Sequence, residues 1–390
     1  MRFAPISSFV LERTLRKNRR PLALKRGAVG VPFVALIALV LGIPRVLCAQ
    51  QSALSFDDLA ARAAAARNQH NFSIAVELYT RAEQLKPDWA EGWFYLGLLQ
   101  YEENQFREAI DAFSHLLQLQ PTAFPAMALR GLCEFETASY TDSLRDLEQA
   151  VTSGAANDPH NAQIIHFHLA QLLAHDGRFE DALDQYKFFA MQRISAPDLL
   201  LGLGLAGMRI TTLPKDVPAT DRAIPNAAGE AGYALLAGEN EHGDELFQQL
   251  FKHYPQTPDL HYFYGLLLFP HDPELAAGPF RDEVAMVPGN ELAHAMLAFT
   301  LMIAGRYAEA LPEAEQALEA MPNLEIAQVA LGRSLAETGD PKRAENMLTS
   351  VIQRDPGNLE AHLGLVSIYS RSGRREDAYH ERMLILGLPR

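Results

Sequence analysis

The chain has 390 residues, 48% of them hydrophobic and 21% charged, with 25 Gly and 23 Pro. This excludes a largely disordered, collagen-like or low-complexity chain and leaves ample length for a core. The net charge of −14 is uneven: residues 1–49 hold nine Lys and Arg against Glu12 alone, and residues 50–390 carry a formal charge of −22, which argues against nucleic acid as a partner.

The first element is a basic stretch, Arg13 to Arg26, followed by an apolar run from Val31 to Ile43, then Pro44 and the small Ala49. That is the order of an export signal. Cleavage after Ala49 is expected, with the mature chain periplasmic or secreted. The alternative is an uncleaved anchor holding the rest of the chain outside the cytoplasm; Arg45 and the short apolar run count against a stable span. Membrane contact is expected through this segment alone, and if it is cleaved there is none. Of the two cysteines, Cys48 and Cys133, the mature chain keeps Cys133, expected to be buried and structural.

From residue 56 onward the sequence repeats. Trp93-x2-Leu96-Gly97 is followed by Ala109-x3-Phe113 and Pro121. Stepping by about 34 residues recovers Ala63, Ala75, Tyr79, Ala82 and Pro87 before it, and Gly131, Ser143 and Leu147 after it. After an insertion around Thr152 to Asn161 come Leu169-Ala170, Gly177, Ala182 and Tyr186. The later part repeats at Ala231 with Phe247, Gly265 with Phe280, Ala298 with Ala310, Gly332 with Leu348, and Leu365 with Ala378.

With these residues in phase, the chain resembles the tetratricopeptide repeat family, whose pattern combines a W-x2-L-G run, an A-x3-F run and a closing Pro. The resemblance implies an all-α solenoid of nine two-helix units in a right-handed superhelix with a concave face. Small residues let the two helices of a unit approach, and Pro stops the second helix. Gly97→Ala is expected to be mild, and a bulky residue there or at Gly332 costly.

One stretch breaks the rhythm. Ala196 to Met208 reads as a first helix, but Thr211 to Asn226 contains Pro214, Pro218 and Pro225 and cannot form a normal second one. The expected organisation is therefore an N-terminal array at 50–210, a proline-rich interruption at 211–225 and a C-terminal array at 226–390. Gly202, Gly204 and Gly207 have a dinucleotide-binding spacing, yet they follow helical sequence, so they read as helix-contact residues.

No sequence motif for catalysis, phosphate binding or metal ligation occurs. His166 and His168 are two apart on a helix and point to different sides, so they cannot chelate one ion together. The chain is therefore expected to be no enzyme and to need no cofactor or metal. Carried over from the family, the concave face falls on Phe94, Leu98, Tyr101, Phe135, Tyr262, Leu266, Phe269 and Phe299, with Leu201 and Leu205 between. The function implied is a non-catalytic scaffold gripping a segment of a partner protein in that groove. The alternative is an enzyme or cofactor carrier with its site at the central interruption, and for the aromatics the alternative is packing between neighbouring first helices.

Overall fold

The structure, a computed structural model, describes residues 54–154 and 159–387. The expected export segment and the core of the expected insertion lie outside the described residues. Among those described there are nineteen α-helices and no strand. In chain order they are α1 (Phe56–Asn68), α2 (Phe72–Leu85), α3 (Ala90–Glu102), α4 (Phe106–Leu119), α5 (Phe124–Glu136), α6 (Tyr140–Thr152), α7 (Pro159–His175), α8 (Phe179–Met191), α9 (Pro197–Gly207) and α10 (Ala223–Leu236). The series continues with α11 (Asn240–His253), α12 (Leu260–Leu268), α13 (Pro273–Met286), α14 (Glu291–Ile303), α15 (Tyr307–Ala320), α16 (Glu325–Thr338), α17 (Pro341–Arg354), α18 (Leu359–Arg371) and α19 (Arg375–Gly387). Nine successive pairs and the single helix α9 make an all-α helical repeat solenoid.

Two compact units are present, Met1–Leu169 and Ala170–Arg390, so the proline-rich stretch lies inside the second. In the first unit α1 packs on α2, α3 on α4 and α5 on α6. In the second, α12 packs on α13, α14 on α15, α16 on α17 and α18 on α19, and the first helices α14, α16 and α18 also touch in succession.

The turn inside most pairs is built the same way, the α12–α13 turn being the exception, with Phe269 at φ −52°. A residue in the left-handed region closes the first helix: His70, Asn104 and Ala138 after α1, α3 and α5, and Gly305, Gly339 and Gly373 after α14, α16 and α18. The next amide then bonds back five residues, as Gln105 N does to Gln100 O and Arg306 N to Leu301 O, which satisfies a carbonyl the helix leaves open. Glycine adopts this geometry freely, whereas Ala138 does so at a cost of about 1 kcal/mol. Second helices stop where expected: α2, α4, α15 and α17 end two residues before Pro87, Pro121, Pro322 and Pro356.

Within a pair, the small residue of the first helix faces a large side chain of the second. A Cβ on Gly97 would stand 2.7 Å from the Phe113 ring, on Gly131 2.9 Å from Leu147, on Gly265 2.6 Å from Phe280 and on Gly332 2.7 Å from Leu348. Phe113, Leu147, Phe280 and Leu348 are completely buried and have no space to retreat. The expectation that Gly97→Ala is mild is therefore corrected, because the first added carbon already overlaps the ring and overpacking costs about 1–3 kcal/mol.

Helix α9 has no second helix. Its place is taken by two short 3-10 turns, Pro214–Asp216 and Ala219–Asp221, and α10 begins at Ala223 with Pro225 in its first turn. Backbone meets backbone as a result: a Cβ on Gly204 would lie 1.8 Å from the Pro225 carbonyl oxygen, and one on Gly229 1.8 Å from that of Leu200. Gly202 faces the Tyr186 hydroxyl and Gly207 the Phe263 ring. All three glycines of the dinucleotide-like spacing are therefore helix-contact residues.

One buried group in the first unit sets a pH dependence. Glu83 in α2 is 3% exposed, lies against Gly92 and Trp89, and neither carboxyl oxygen has a hydrogen-bond partner. Burial, with Asp88 nearby, pushes its pKa from 4.5 up to about 8. The folded chain thus keeps a proton that the unfolded chain has lost between those two values, so the stability this group contributes falls as pH rises through that window and levels off above it. Glu83→Gln should flatten the decline and raise the melting temperature at pH 8.5; equal pH profiles for the two proteins in thermal unfolding would refute this.

Candidate functional site

The row expected to face inward begins one residue after the small core residue of a first helix: Leu98 after Gly97, Leu205 after Gly204, Leu266 after Gly265, Phe299 after Ala298 and Arg333 after Gly332. In the first unit this row offers Leu98 and Tyr101, both half-buried, with Tyr101 edge-on to Phe106 at 5.8 Å. Phe94 and Phe135 are 2% and 6% exposed and sit in the interior. Phe94 meets Phe113 edge-on at 6.4 Å, and Phe135 meets His168 at 4.8 Å.

In the second unit, Leu266, Phe269 and Phe299 are half-buried, and the rings of Phe269 and Phe299 lie 5.9 Å apart, joining α12 to α14. Ile303, one turn beyond Phe299, is exposed. Farther along the row the surface becomes charged: Arg333 pairs with Glu360, and Arg371 with Glu337, which also accepts from Ser367. Among the predicted groove residues, Leu266, Phe269 and Phe299 thus form one accessible apolar patch, and Leu98 and Tyr101 another within the first unit.

Tyr262 is placed differently, at 2% exposure. Glu283, fully buried on α13, accepts hydrogen bonds from the backbone N–H of Asp259 at 2.8 Å and of Tyr262 at 3.3 Å, and so caps the start of α12. Burial raises the Glu283 pKa, and those two backbone bonds oppose the rise. The Tyr262 hydroxyl donates to Glu180 at 3.3 Å, Glu180 pairs with Arg209 at 2.6 Å, and the Arg209 guanidinium lies over the Phe179 and Tyr262 rings. Tyr262 is therefore a buried ring tied through its hydroxyl to a surface ion pair, and burial pushes its phenol pKa up.

Leu201 and Leu205 are covered by the chain itself. Residues 211–222 cross α9 as a strap whose Val217 packs against both leucines, while Leu213 and Pro214 are buried beside it. His175 Nδ1 bonds to the Thr211 carbonyl at 2.8 Å, and Arg222 donates to the carbonyls of Val217 at 2.9 Å and Pro214 at 3.2 Å. The central interruption thus holds a packed strap.

Among the described residues, no three His, Cys, Asp or Glu side chains gather as a metal site. His168 turns its Nδ1 back to the Ile164 carbonyl at 2.8 Å. Cys133 is buried, which pushes its thiol pKa up. No described helix is long and apolar enough to cross a membrane.

A recurring contact escaped the sequence reading. Six residues after the closing proline, a side-chain N–H donates to that proline's carbonyl: Trp93 to Pro87 at 2.9 Å, His294 to Pro288 at 3.1 Å, Gln328 to Pro322 at 2.6 Å and His362 to Pro356 at 3.0 Å. His294 and His362 also place Nδ1 2.6 Å from Glu313 and Glu381. The shared signal is a donor six residues after Pro, which spacing alone could have disclosed.

Family models described as tetratricopeptide repeat match residues 90–123, 129–187, 301–351 and 335–381. A 171-residue stretch, 41% of this chain, is 32% identical to the cellulose synthase operon protein C of Xanthomonas axonopodis pv. citri (strain 306), and covers 11% of that protein. The chain thus spans about a tenth of its curated relative. Among solved structures, MamA RS-1 is 18% identical, with 41% of this chain and 91% of that chain covered and a TM-score of 0.37. Yeast Tom70 is 13% identical, with 86% and 92% covered and a TM-score of 0.30.

Proposed function

We propose that this chain, which belongs to the tetratricopeptide repeat family, is a non-catalytic scaffold that acts outside the cytoplasm and holds a segment of a partner protein on the inner row of its first helices. The observation that carries the reading is the patch of Leu266, Phe269 and Phe299, half-buried apolar side chains that the chain's own helices leave partly open on successive first helices. Partly exposed apolar surface of this kind gains when a partner covers it. The strong negative charge of residues 50–390 favours a protein over a phosphate-bearing partner. Export is supported by the basic and apolar order of residues 13–49.

The relative's name makes components of a cellulose synthase the first candidates to test as partners. In a capture from envelope fractions, the wild-type chain should retain a defined protein that the double variant Phe269→Ala, Phe299→Ala loses, and the purified chain should begin at or near Gln50. Equal capture by both proteins would remove the groove reading, and an intact N-terminus on cytosolic protein would remove the location.

A further inference from the structure

The strap is a segment already seated on the inner row. Its residues run Leu213-Pro214-Lys215-Asp216-Val217-Pro218, extended at Leu213 (φ −66°, ψ 144°) and Val217 (φ −75°, ψ 122°) around one 3-10 turn. That turn lets Val217 close over Leu201 and Leu205 with Leu213 and Pro214 buried beside it. Prolines at both ends fix φ and lower the freedom lost on docking. Leu205 follows Gly204 on α9 just as Leu266 follows Gly265 on α12 and Phe299 follows Ala298 on α14. The position the strap covers and the position left partly open on α12 and α14 are therefore the same position of the repeat.

We infer that the half-buried patch of Leu266, Phe269 and Phe299 takes a partner segment of the chemistry the strap displays: a short stretch carrying two prolines, with two aliphatic side chains four residues apart. The inference rests on the groove reading above and names the class of its ligand. The strap fills its own position on α9, so a partner carrying such a segment is directed to the partly open patch on α14 and the C-terminal end of α12. A long amphipathic helix is the competing class of ligand, and the strap's single turn between extended flanks speaks against it.

The test uses the full chain and a fluorescent synthetic peptide of residues 211–221, Thr-Thr-Leu-Pro-Lys-Asp-Val-Pro-Ala-Thr-Asp. Anisotropy should show saturable binding, weakened roughly ten-fold by Phe269→Ala or Phe299→Ala, and lost when Leu and Val of the peptide are both changed to Ser. If those variants fold poorly, a photo-reactive group at the peptide's Val position, used on the wild-type chain, should cross-link to α12 and α14. Absence of saturable binding up to about 1 mM, or cross-links confined to α9, would overturn the inference. Should the peptide fail while envelope capture still depends on Phe269 and Phe299, the ligand class falls and the groove reading stands. Capture that ignores both phenylalanines removes the groove reading itself.

Discussion

Gly204→Ala should lower the stability of the second unit by about 3 kcal/mol or more, at the upper end of what overpacking costs. The added carbon would lie 1.8 Å from the Pro225 carbonyl oxygen and 2.8 Å from the Gly229 amide nitrogen. Both are backbone atoms, so no side chain can rotate away, and α9 and α10 must separate. Gly229→Ala should do the same from the opposite side, since its Cβ would meet the Leu200 carbonyl oxygen at 1.8 Å. Gly278→Ala is the control. Gly278 lies inside α13 with nothing within 4 Å of an added Cβ, so alanine there should stabilise by roughly 0.5–1 kcal/mol through the lower entropy of the unfolded chain. Urea unfolding of the three variants decides the matter: a Gly204→Ala midpoint equal to wild type would mean that the two helices are not in backbone contact.

The repeat phase, the nine pairs and the missing second helix after α9 were legible because each rests on local chemistry. Small residues must stand where helices approach, and prolines must stand where helices end. What crosses over a helix is not local. The position of Leu201 and Leu205 marks them for the inner row, but the packing of Val217 upon them depends on the path of a loop whose prolines announce an interruption without saying where it lies. Phe94, Phe135 and Tyr262 have the same character: helical spacing aims them, while Phe113, His168 and Phe280 on other helices decide how deeply they are covered. The proline-carbonyl contacts stayed hidden for another reason. Trp93, His294, Gln328 and His362 share an N–H donor and little else, so a search by residue type passes over them.

Tyr262→Ala and Phe269→Ala should differ sharply, although both belong to the row the repeat assigns to binding. Tyr262 is buried, its ring lies 5.8 Å from that of Phe280, and its hydroxyl ties α12 to Glu180. Truncation there opens a cavity, leaves Arg209 without one of its two aromatic faces, and should cost about 3–5 kcal/mol of stability, as large-to-small changes at buried aromatics do. Phe269 is half-buried and its ring lies 5.9 Å from that of Phe299, so its loss should remove about 1–2 kcal/mol from folding, less than at Tyr262, and about 1–3 kcal/mol from partner binding. The melting temperature and the affinity of the folded protein, measured for each variant, separate the two roles. A large fall in melting temperature for Phe269→Ala with unchanged affinity would place that ring in the core; reduced affinity at unchanged stability for Tyr262→Ala would show that the cluster around Arg209 opens to the partner.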